Sequence, residues 1–84
     1  AVYAFQERFE KLFGIELSCM QAEKHIEARF PATDRVKNIN HKEQRRIKRH
    51  GHSLFFRDGD FTYVVTNGVL ITIEISRKGL RGLN

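Results

Sequence analysis

His52, Tyr63 and Thr72 are the residues of this chain best suited to chemistry, and they lie close to a dense run of cations, Lys42, Arg45, Arg46 and Arg49. Histidine gives or takes a proton near neutral pH. Tyrosine and threonine hydroxyls orient a phosphate, and guanidinium and ammonium groups offset the charge that develops on it. Together these groups suffice for metal-independent cleavage of RNA, where the 2′-hydroxyl is an internal nucleophile and the protein supplies a base, an acid and cations. His52 is the acid–base candidate, with Tyr63 and Thr72 as positioning groups. His50, Arg57, Phe56 and Phe61 join the four cations as candidate contacts to nucleic acid.

Other chemistries have weaker support. There is no CxxC pair, no HExxH, no phosphate-loop motif and no G-x-G-x-x-G. His41, His50 and His52 cluster, but Glu43 and Asp58 do not complete a metal-ligand pattern, so neither a metal nor another cofactor is expected. Cys19 is the single cysteine, and its place in a helix pattern argues against a nucleophile. Glu74 lies about 16 Å from His52 by strand geometry, too far for an acid–base pair, and is expected to pair with Arg57 or a cation of the tail.

The segment that positions these residues reads as an antiparallel meander, with strands over 52–57, 60–66 and 69–76. Asp58-Gly59 and Asn67-Gly68 are both two-residue turn signals, because Asn, Asp and Gly tolerate positive φ. With those turns, Phe55 stands opposite Thr62 and Thr62 opposite Ile73, and Ser53, Val64 and Ile71 form the next row. That face, with Val69 and Ile75, is nearly all β-branched or aromatic and is expected to pack on helices. The other face carries Leu54, Tyr63 and Thr72 in one row, Phe56, Phe61 and Glu74 in a second, and His52, Val65 and Leu70 in a third. A function sits most easily on this second face. The plainer reading makes it a second, partly covered surface.

The first half is helical. Val2, Phe5, Phe9, Leu12 and Phe13 fall on one stripe over residues 2–13, and Gly14 follows where a left-handed residue ends a helix. Ser18 and Gln21 make a capping box for a helix over 18–30, stopped by Pro31. Ala22, Ile26 and Phe30 form its buried stripe, while His25 and Arg29 read as solvated. Residues 33–39 are a connector. Asn40 and Glu43 cap a third helix over 40–50, in which Ile47 is the only apolar anchor and Lys42, Arg45, Arg46 and Arg49 share one face. Like charges at that spacing oppose the helix, so a polyanion partner is a better explanation than a solvated face. The tail over 77–84 is basic, and its structure is left open.

The chain has 84 residues, 15 Lys and Arg against 10 Asp and Glu, and a net charge of +5. These values suit one small α+β domain, N-terminal helices on one face of a three-stranded or larger sheet, with a polyanionic partner. No apolar run is long enough to span a membrane.

The order of helices, basic segment and meander resembles the barnase–colicin–RelE class of small bacterial ribonuclease toxins. The likeness is carried by His41-Lys42-Glu43-Gln44-Arg45-Arg46, Gly51-His52-Ser53-Leu54 and Leu70-Ile71-Thr72-Ile73, within residues 5–76. The chain departs from RelE-type members in opening with a helix pattern. The resemblance implies an endoribonuclease acting on tRNA or mRNA without metal, in the cytoplasm, with delivery inside a larger secreted chain left open. It also implies an acidic immunity protein or antitoxin as partner. Two rivals stand beside it. One is a non-catalytic RNA- or DNA-binding module that stacks Phe56, Phe61 and Tyr63 on bases, with a winged-helix variant. The other is a protein–protein adaptor whose charge serves only solubility.

Overall fold

The computed structural model describes residues 1–81; Gly82, Leu83 and Asn84, the end of the basic tail, lie outside them. The elements run α1 (Val2–Phe13), α2 (Cys19–Arg29), a 3₁₀ turn (Phe30–Ala32), β1 (Asp34–Arg35), α3 (His41–His50), β2 (Ser53–Arg57), β3 (Phe61–Thr66), β4 (Val69–Ile75) and α4 (Arg77–Arg81). The fold is α+β. Among the described residues four strands form an antiparallel sheet in the order β1-β2-β3-β4. β1 is a two-residue edge strand made by the connector, and Val36 N–H extends it by donating to Phe55 O at 2.8 Å. Among the described residues no helix is long and apolar enough to cross a membrane.

The helix ends follow the local chemistry. Gly14 takes φ +71° and donates its N–H to Glu10 O, closing α1. Ser18/Gln21 and Asn40/Glu43 both form full capping boxes.

Strand register departs from expectation at both hairpins. Between β2 and β3 the turn centres on Gly59-Asp60, with positive φ at Gly59 alone, the pattern of a type II′ turn. Asp58 therefore lies before the turn, and its carboxylate accepts from the N–H groups of Asp60 (3.1 Å) and Phe61 (2.9 Å). The pairing moves by two residues, so Phe55 faces Val64 and Arg57 faces Thr62, and the faces are preserved. Between β3 and β4, Asn67 and Gly68 both take positive φ, as a type I′ turn requires. A bulge follows. Val65 pairs with Leu70 but Val64 pairs with Thr72, leaving Ile71 as the extra residue of β4.

That one residue reverses the faces of the rest of β4. Ile73 stands opposite Tyr63, and Ile75 opposite Phe61. The face that packs on α1 and α2 is therefore Phe61, Tyr63 and Ile73, with Phe56, Leu70 and Ile75 beside it, against Phe5, Phe9 and Ala22. The expectation that Phe55, Val64, Ile71 and Ile73 together meet the first two helices is overturned: Ile71 is exposed, and Phe55 and Val64 are buried on the opposite face. α3 lies over that opposite face, so the sheet is covered on both sides.

His25 and Arg29 are half-buried and engaged with the core, contrary to the helical reading. His25 sits against the rings of Phe5 (6.0 Å) and Phe9 (5.0 Å). Arg29 lies over Phe61 at 5.3 Å and pairs with Asp58 at 3.4 Å and Asp60 at 3.7 Å. Arg77–Arg81 of the tail form α4. The Ser76 hydroxyl accepts from Gly79 N–H at 3.0 Å and donates to Gly59 O, fastening α4 under the β2–β3 turn. Gly79 is required there, since a Cβ would come within 2.6 Å of Asp60 O.

Candidate nucleic-acid interface

α3 is a helix with almost nothing apolar to bury, and it stays on the sheet by charge. Glu43 is buried; its Oε1 accepts from Asn40 N–H at 3.0 Å and its Oε2 from Arg57 Nη2 at 2.6 Å. Arg57 also donates to the Thr62 hydroxyl at 3.0 Å. One turn later Arg46 reaches Glu74 at 3.4 Å, and Glu74 accepts Arg8 of α1 at the same distance on its other oxygen. Ile47 adds a half-buried apolar contact. Glu74 thus joins α3 and α1 to β4; its partners are Arg46 and Arg8, where Arg57 or a tail cation was expected.

These attachments sort the α3 cations. Arg46 is taken by Glu74. Among the described residues, Lys42, Arg45, Lys48 and Arg49 form no ion pair. Lys42, Arg45 and Arg49 are exposed and line a shallow groove with Arg46 and His50. From Lys42 to Arg49 this tract rises about 10 Å along the helix axis. His50 ends α3 and His52 follows Gly51, which takes φ +89°; both histidines are exposed.

The remaining expected site residues separate. Tyr63 is fully buried in the α1–α2 core, and its hydroxyl donates to Asp58 Oδ2 at 2.6 Å. Burial, then the bond to Asp58 and its charge, push the Tyr63 phenol well above its usual range. Thr72 is half-buried on the opposite face, paired with Val64. Tyr63 and Thr72 therefore cannot hold one phosphate, because the Ile71 bulge turns Thr72 to the α3 side. Phe61 is fully buried against Phe5 at 5.0 Å, and Phe56 packs on Phe30 at 5.3 Å. Both belong to the core and not to a base-stacking surface. Arg57 is held by Glu43, so it anchors α3 and is not a free contact.

A cleft of about 190 Å³ opens between α3, α4 and the sheet, with Phe55 and Val64 among its lining. Sequence reasoning missed it because it depends on the bulge and on α4. The signal available was Ser76-Arg77-Lys78-Gly79, a capping serine before a glycine that permits close docking. Among the described residues no cluster of His, Cys, Asp and Glu could hold a metal ion. Compared with protein-family models, with curated proteins and with solved structures, the chain matches none.

Proposed function

We propose that this chain binds nucleic acid through its phosphate backbone, with the outer arc of α3 as the contact element. The observation that carries this reading is the unpaired tract Lys42, Arg45 and Arg49 on a helix whose only carboxylate is buried and already bonded. Repulsion at i, i+3, i+4 and i+7 works against the helix. The capping box and two ion pairs hold it in spite of that, and an external polyanion relieves it. Changing Lys42, Arg45 and Arg49 together to Ala removes up to three phosphate contacts and spares the anchor Arg46. Titration of a labelled single-stranded RNA at several salt concentrations should show a plot of log K against log salt shallower by about 2. Unchanged affinity and slope would place the contact elsewhere.

A second reading is favoured by the exposed pair His50 and His52 at the end of the tract: metal-independent RNA cleavage there, on tRNA or mRNA in the cytoplasm. An acidic immunity protein or antitoxin would then cover the same cations. Tyr63 takes no part. In excess chelator, His52→Ala should reduce cleavage of total RNA by about 10²–10⁴ while thermal stability stays nearly unchanged, since His52 is exposed. RNA that is bound yet left intact by the wild type leaves the binding reading alone.

A further inference from the structure

We infer that the cleft between α3, α4 and the sheet receives an unstacked nucleobase, so that the favoured ligand is a single strand. This inference rests on the phosphate-binding reading of α3. The cleft and the phosphate tract are neighbours: Lys42 and Arg46 line both. A strand whose phosphates follow Lys42, Arg45 and Arg49 therefore passes the mouth of the cleft.

The interior suits a flat ring with polar edges: Phe55, Val64, Ile75 and Leu80 supply its apolar lining, and Asn40, Thr62 and Ser76 its uncharged polar groups. Leu80, 45% exposed, stands at the edge. The two acids of the lining are engaged, Glu43 by Arg57 and Glu74 by Arg46 and Arg8. Arg77 and Lys42 add cations at the rim, where a phosphate attached to the ring would lie. Size narrows the ligand further. A space of about 190 Å³ exceeds the roughly 150 Å³ cavity that accepts one benzene ring and falls short of the ~300 Å³ at which sites for drug-sized molecules begin. One base fits. In a duplex each base is stacked and paired, and entry would require flipping it out.

The test compares three labelled probes of equal phosphate number on the wild-type protein: oligouridylate, a fully abasic strand and an RNA duplex. Oligouridylate should bind about 10-fold more tightly than the abasic strand, the scale of one base–side-chain stack. The duplex should bind no better than the abasic strand. The chain contains no tryptophan, so Leu80→Trp places a single fluorescent reporter at the cleft edge. Its emission should change with oligouridylate and stay constant with the abasic strand. Equal affinity for intact and abasic strands, or emission that ignores the base, overturns the base cleft and leaves the backbone reading standing. Uridine monophosphate binding as tightly as the strand would reassign the cleft to free nucleotides. Absence of affinity for every polynucleotide would remove both readings together.

Discussion

Ile73→Ala is expected to lower stability by about 2–5 kcal/mol, whereas Ile71→Ala, two residues earlier on the same strand, is expected to cost less than about 1 kcal/mol. Ile73 is fully buried opposite Tyr63 and belongs to the cluster with Phe5, Phe9 and Phe61. Truncation there leaves a cavity enclosed by aromatic rings that are already in contact and have little room to collapse. Ile71 is the extra residue of the bulge and keeps 39% of its surface in water. Urea unfolding followed by circular dichroism measures both, provided the two variants share one denaturant slope. Equal losses, or the larger loss at Ile71, would mean that β4 runs in the unbulged register and that the helices pack on the other face.

Asp58→Ala is expected to be comparably severe, at about 3–5 kcal/mol. Its carboxylate accepts from the Tyr63 hydroxyl at 2.6 Å, from two turn N–H groups and from Arg29. Removing it leaves a phenol donor unsatisfied in the core and loosens the turn on which α4 is fastened. Arg29 contributes little of the loss, since it is partly solvated and keeps Asp60. Asp58→Asn, which retains the acceptor, should recover much of it. The same contact predicts an alkaline response. Tyr63 has its phenol raised in the folded state, so above about pH 10 the unfolded chain releases that proton while the folded chain keeps it. The unfolded state then binds fewer protons, and stability falls with rising pH by up to about 1.4 kcal/mol per unit. That contribution is fully present below pH 10 and should vanish in Tyr63→Phe. A wild type and a Tyr63→Phe variant with the same profile between pH 9 and 11 would show that the phenol is not held neutral.

Much of the fold was legible because it is locally encoded. Gly14, Ser18 with Gln21, and Asn40 with Glu43 mark helix ends through backbone bonds that hardly depend on the rest of the molecule. The face of the sheet was not legible, for a physical reason. Val69, Ile71, Ile73 and Ile75 alternate without interruption, so the pattern itself suggests an unbroken strand. The bulge wins because it places Ile73 and Ile75 with Phe61 and Tyr63, and turns Thr72 and Glu74 toward α3. Glu74 can meet Arg46 only in that arrangement. The cationic face of α3 was legible from spacing alone. Which cations remain free was not, since that depends on carboxylates 28 residues away for Arg46 and on Arg57 for Glu43. Tyr63, Phe61 and Phe56 were misplaced by the same missing residue of register.

The Ile71 bulge also bears on how this chain behaves in a crowd of its own copies. β4 is an edge of the sheet, and its sequence, four β-branched apolar residues in strict alternation, is the kind that templates a neighbouring strand. An irregular edge cannot be extended by a regular partner, because the spacing of its free N–H and C=O groups is broken. One surplus isoleucine thus guards against aggregation, and a deletion at that position would restore a straight, adhesive edge at the same moment that it misdirected the core.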